Sequence, residues 1–190
     1  MKKIFTRALT VLFIVALSIG LGFLASQIWD KSERDNYPVK YSEYINEASD
    51  KFGVPRRIVY AVIHTESGFD ASAESAAGAI GLMQITPSTF EEISGKLGDS
   101  YERGMMYDPK TNITYGTYYL SYLYKYFGDW DVVFAAYNAG MGKVAGWLED
   151  PECVDEEGKL VNIPYQETKN YVSKVKDAAE KYNDLYGDEL

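Results

Sequence analysis

The chain has 190 residues, 46% of them hydrophobic, with one cysteine, one histidine and a formal charge of −9. That is enough for one ordinary domain with an appendage and a real core, and nothing in the composition suggests disorder. The acidic balance argues against nucleic acid, which needs clustered Lys and Arg; a lone Cys153 excludes an internal disulfide and, with a single His, argues against a His/Cys zinc site.

The first element is apolar. Lys2, Lys3 and Arg7 precede an uncharged stretch of 22 residues, Ala8 to Trp29, which as a helix is roughly 33 Å long against a hydrocarbon core of about 30 Å. Basic residues lie before it and Asp30 follows it, so the N-terminus is expected in the cytoplasm and all that follows Trp29 outside the cytoplasmic membrane. Residues 1–29 therefore read as a signal-anchor transmembrane segment. Cleavage as a signal peptide near the small residues Ala16, Ser18, Gly20 and Gly22 is the alternative, and the following domain is exported either way. Residues 30–40, polar with Pro38 near the end, read as a stalk. Residues 1–37 carry a net +2, which leaves about −11 on the remainder, a charge that disfavours flat docking on anionic lipid.

From Ser42 onward the pattern is helical. Ser42 is a plausible N-cap for a helix with Ile45, Ala48 and Phe52 on one face, ended by Gly53. A second helix starts around Pro55, carries the stripe Ile58, Val59, Val62 and Ile63, and stops at Gly68. Thr86-Pro87-Ser88 opens a third, with Phe90 and Ile93 inward. Asp108-Pro109 restarts the chain into a tyrosine-rich helix ending near Phe127, and Val132 to Tyr137 forms a short apolar helix before Asn138-Ala139-Gly140. Residues 151–164 read as an acidic surface loop holding Cys153, and a last helix runs from about Glu167 to Tyr186. The 17 tyrosines suit both core filling and a wet groove that grips a polar polymer.

Four places carry chemistry. Glu66 lies three and four residues after Ile63 and Val62, on their apolar face and near the negative end of the helix dipole. Desolvation and the dipole both disfavour its ionised form, so its pKa is expected to rise. A carboxyl protonated near neutral pH suits protonation of a glycosidic oxygen. Gly78 to Gln84 permits a tight turn with an amide that both donates and accepts. Ala136 to Gly140 sets Tyr137 and Asn138 at a helix end, and Glu167-Thr168 opens a helix bearing Tyr171, Val172 and Val175. Asp70, Glu74 and His64 read as surface or structural groups.

In this order and spacing, Glu66-Ser67-Gly68-Phe69, Gly78 to Gln84, Ala136 to Gly140 and Glu167-Thr168 with Tyr171-Val172 resemble the soluble-lytic-transglycosylase-type (SLT) domain, a lysozyme-like family acting on bacterial peptidoglycan. The resemblance covers about Tyr41 to Tyr182. It implies a mainly α, goose-type lysozyme-like domain over 41–190, following the N-terminal transmembrane helix. It implies Glu66 as sole catalytic acid/base, Ser75 in the cleft, and Met83 and Gln84 lining the groove and touching substrate. Tyr137 and Asn138 are implied to support positive charge on the sugar, and Tyr171 to approach the glutamate. Ala76 stands where the family often has proline, which alters loop stiffness and leaves the chemistry intact.

One carboxyl implies a non-hydrolytic course, since ordinary glycosidases use two. Glu66 is then acid and afterwards base on the muramyl 6-hydroxyl, with no metal or organic cofactor. Peptidoglycan strands and the cytoplasmic membrane are the implied partners. The competing readings are a hydrolysing muramidase and a silent, anchored peptidoglycan-binding protein.

Overall fold

The computed structural model describes residues 2–187 and 190, the side chains of 2–14 and 30 excepted. It divides into two compact units, Met1–Pro38 and Val39–Leu190. The first holds one helix, α1 (Lys2–Asn36). Val15, Leu17, Leu21, Phe23, Ile28 and Trp29 are exposed along it. No helix is, over its described residues, long and apolar enough to cross a membrane. The described part of the apolar stretch, residues 15–29, reaches only about 22 Å by itself. The side chains of Lys2, Lys3, Arg7 and residues 8–14, on which the expected span and its orientation also rest, lie outside those described. The helix continues to Asn36, so most of the expected stalk is helical, and it stops where Pro38 disfavours helix at the residue before it.

The second unit is helical throughout its regular elements: α2 (Ser42–Phe52), α3 (Arg56–Ser67), α4 (Pro87–Leu97), a 3-10 turn (Arg103–Tyr107), α5 (Pro109–Phe127), α6 (Trp130–Ala139), α7 (Met141–Leu148) and α8 (Gln166–Tyr186). Its starts follow local chemistry. Thr86 caps α4 by accepting the Thr89 N–H at 3.3 Å, and Asp108 caps α5 by accepting the Thr111 N–H at 2.8 Å, each with proline in the first turn. The expected cap at Ser42 is corrected. Tyr41, in left-handed backbone at φ 57°, occupies the cap position without a side-chain bond, and Ser42 is already helical.

Packing places α3 at the centre. It lies against α8 and α2; α2 also packs on α5, and α6 on α5, α7 and α8. All of Ile58 to Ile63 is buried, including Tyr60 and Ala61, which lie off the expected stripe. A helix apolar on every side is one covered on every side, and the extra cover comes from far along the chain. The Tyr182 ring of α8 lies 5.2 Å from that of Tyr60.

Two further expectations change. The sequence Gly140-Met141-Gly142 hides a helix, α7, because its glycines mask a pattern set by buried Val144. Cys153 sits in the acidic loop but is itself buried, since the loop folds back through a Val154–Leu160 bridge and two N–H groups, of Val161 and Asn162, donate to the Cys153 carbonyl. The tyrosines of α5 divide as their helical positions require. Tyr115 is core, its ring 4.5 Å from Phe90 and its hydroxyl donating to Asp99; Tyr119 reaches Tyr137 at 5.5 Å; Tyr124 and Tyr126 are exposed.

Candidate active site

The site begins where α3 ends. Gly68 and Phe69 both take left-handed backbone (φ 59° and 69°), which closes the helix one turn after Val62 and Ile63 and leaves Glu66 on its last turn. Gly68 takes this conformation without steric cost; Phe69 does so because its ring is buried. Ser67 Oγ donates to the Leu82 carbonyl at 2.8 Å and so ties the helix end to the loop opposite.

That loop, residues 70–85, is held from beneath by Asn112, a fully buried residue of α5. Asn112 Oδ1 accepts the Met83 N–H at 2.8 Å, while its Nδ2 donates to the carbonyls of Met106 (2.8 Å) and Ile80 (3.1 Å). Gly81, at φ 82°, lies so close that a Cβ there would collide with the Asn112 side chain and the Met106 carbonyl. Gly116 is confined in the same way by the side chain of Met83. On the outer side Glu74 accepts bonds from Arg103 and Tyr107, each at 2.9 Å. The loop ends in Gln84 at φ 47°, an uncommon backbone for a non-glycine residue. Its Nε2 donates to the carbonyls of Ala73 and Gly81, both at 3.0 Å, so the amide nitrogen is committed to the loop, and the residue lines the groove described below.

Across from the loop, Tyr171 of α8 donates its hydroxyl proton to Glu66 Oε1 at 2.7 Å. Burial pushes the Glu66 carboxyl up to about 7, against the opposing influence of that hydrogen bond. Burial, and next the charge of Glu66, holds the hydroxyls of Tyr171 and Tyr137 well above the ordinary tyrosine range, so both remain donors. Tyr137 donates to the Met83 carbonyl at 2.8 Å. Asn138 Oδ1 accepts from Thr168 Oγ1 at 2.8 Å, which leaves its amide hydrogens for a ligand. Tyr137 and Asn138 line an open groove of about 250 Å³ together with Gln84, Thr86, Thr89, Tyr119 and Gly140; Glu66 is not itself a lining residue and reaches the groove through its influence on Tyr137.

Gln84, Tyr137 and Asn138 thus share one groove, and Tyr171 touches Glu66 directly. Two residues fall elsewhere. Met83 is fully buried against Gly116, so the expected side-chain contact with substrate gives way to a supporting one, its carbonyl fixing Tyr137. Ser75 is occupied in its own turn, its Oγ accepting the Ala79 N–H at 3.0 Å, and it is not among the groove-lining residues. Asp70 is exposed, its carboxyl held below the usual range by Ser72; neither it nor Glu74 bonds to Glu66. Sequence reading missed Asn112, Ser67, Tyr119 and Thr168 as parts of the site. Ser67 and Thr168 stood inside motifs named above, whereas an asparagine such as Asn112 carries no signal until its burial is known.

Solved structures define the class. Lytic transglycosylase Slt from Pseudomonas aeruginosa, solved as an inactive glutamate-to-glutamine mutant, superposes with a TM-score of 0.70 at 32% identity, covering 78% of this chain and 24% of that one. The fold is that of the lysozyme-like lytic transglycosylases. Residues 43–157 match the family described as the transglycosylase SLT domain, and the chain belongs to that family. The soluble lytic murein transglycosylase of Escherichia coli K12 is 34% identical over 170 residues, 87% of this chain and 26% of its own length. Membrane-bound lytic murein transglycosylase C of Serratia proteamaculans is 31% identical over 167 residues, 75% of this chain and 46% of its own. The chain therefore spans about a quarter of the first relative and under half of the second.

Proposed function

We propose that this protein is a murein lytic transglycosylase that cleaves the β-1,4 bond between N-acetylmuramic acid and N-acetylglucosamine without water, leaving 1,6-anhydromuramic ends. The observation that carries the reading is the Glu66 carboxyl, raised to about 7 by burial, bonded by Tyr171 and close enough to act on Tyr137, which lines an open groove. A carboxyl with that pKa is substantially protonated at neutral pH and transfers its proton to the leaving oxygen. The carboxylate so formed next accepts the proton of the muramyl 6-hydroxyl as that oxygen closes on the anomeric carbon. Glu66 begins and ends the cycle protonated.

The other groups suit the charge that develops between these steps. Asn138 and Gln84 supply polar contacts at the groove, and the substrate's own acetamido oxygen supports the cationic centre. Tyr171 stabilises Glu66 when it is ionised, through a hydrogen bond that strengthens as the carboxylate forms. Relatives named lytic murein transglycosylases, and the inactivity of a glutamate-to-glutamine mutant in one of them, support the same reading. We also propose that residues 1–29 anchor the protein in the cytoplasmic membrane with the catalytic unit outside. The uncharged stretch Ala8–Trp29 and the existence of a membrane-bound relative support this.

Digestion of purified peptidoglycan and mass spectrometry of the muropeptides tests the reaction. Anhydromuropeptides are expected from the wild type and at least about 10³-fold less from Glu66→Gln; reducing-end products would mean a hydrolase, and no products a binding protein. Because Glu66 must start protonated, kcat/KM is expected to fall as pH rises through about 7. A profile flat from pH 5 to 9 would remove Glu66 from the acid role. Protease accessibility in spheroplasts, with carbonate extraction, tests the anchor.

A further inference from the structure

The groove does not stop at its lining residues. Gly140, which lines it, is followed directly by α7, and Lys143 lies one helical turn further on. Thr168, which bonds the groove residue Asn138, lies one turn after Tyr165. Lys143 and Tyr165 are therefore each displaced by only about 5 Å along the chain axis from residues bound into the groove wall, and they meet. The Lys143 ammonium sits 5.2 Å from the Tyr165 ring centroid, and Tyr165 in turn meets Trp147 edge to face at 5.3 Å. Tyr165 is 48% exposed, so this trio stands open to solvent at the groove's α7–α8 end.

Its charge is not neutralised. Lys96, in a separate small cavity that shares Thr89 and Tyr119 with the groove, also lies over a tyrosine ring, Tyr122, but Glu92 pairs with Lys96 at 2.9 Å. Among the described residues no carboxylate pairs with Lys143. In a chain of charge −9, an unpaired ammonium beside a binding groove is an attractor for an anion that the rest of the surface repels. The ring beneath it restricts the lysine's freedom, so less entropy is lost when it engages a ligand.

Building on the transglycosylase reading, we propose that Lys143, held over Tyr165 and propped by Trp147, is a subsite for a carboxylate of the peptide stem borne by muramic acid. The bare glycan backbone of N-acetylated sugars is neutral once its lactyl groups are amide-linked. In such strands the stems carry the free carboxylates, so an ammonium at the groove's end separates strands with charged stems from strands whose stem carboxylates are capped.

The test is the affinity of full-length Glu66→Gln protein in detergent for soluble glycan strands, with their stems intact or with the stem carboxylates capped as neutral methylamides. Lys143→Met in that background is expected to lose about five- to tenfold on strands with charged stems and less than twofold on strands with capped stems, with Lys143→Arg restoring most of the loss. The difference between the strands is expected to shrink as salt rises. Equal losses on both strands, or no loss on either, would overturn the subsite while leaving the transglycosylase reading intact. Failure of the parent protein to bind either strand would overturn both.

Discussion

The two walls of the groove are built on opposite plans. The loop wall, residues 78–85, is over-determined: one buried asparagine takes the Met83 N–H and two carbonyls, Gly81 in the loop and Gly116 of α5 against it leave no room for a Cβ, and Ser67 and Tyr137 add a bond each. The helix wall is tied to α8 at Asn138 by a side-chain bond from Thr168 and then opens into the trio of Lys143, Trp147 and Tyr165. The rigid wall fixes the position of the proton donor, which tolerates little error. The open wall meets the variable part of a polymer, where adaptable polar groups suffice.

This contrast makes unequal demands on mutation. Asn112→Ala strikes the rigid wall hardest: three buried polar groups lose their partner, so unfolding free energy from urea titration is expected to drop by about 3–5 kcal/mol. A loss under about 1 kcal/mol would show that the loop is not held from beneath. Glu66→Gln probes the acid's own cost to the fold. The carboxyl's pKa in the fold, about 7, exceeds its ordinary value of 4.5. The stability tied to the protonated form is thus complete below 4.5 and is lost as pH rises through 7. The wild type is expected to lose on the order of 1–3 kcal/mol relative to Glu66→Gln between pH 4.5 and 8. Parallel melting curves across that range would remove the burial argument.

Smaller effects come next. Tyr171→Phe deletes a bond that favours the ionised carboxyl, so the pH above which kcat/KM falls should move upward, while kcat drops about tenfold; a downward move would contradict the assigned sign. Thr168→Val touches only the open wall. It is expected to change kcat/KM by less than about fivefold and leave the pH profile where it was. An effect as large as that of Tyr171→Phe would erase the distinction between the walls.

Much of this was legible beforehand where the physics is local. Helix ends marked by Thr86-Pro87, Asp108-Pro109, Gly53 and Gly68 depend on capping and backbone freedom within a few residues, and they fall where expected. The apolar face of α3 marked Glu66 as a carboxyl of raised pKa by the same short-range logic. Tertiary structure alone decided what required distant partners. It buried Tyr60 and Ala61 under α8, withdrew Met83 into the core, hid Cys153 inside an acidic loop and turned Asn112 into a clamp. Periodicity reports which face of a helix is apolar, but not which segment more than a hundred residues away will cover it. Nor does it say which polar side chain will be left to satisfy a buried backbone.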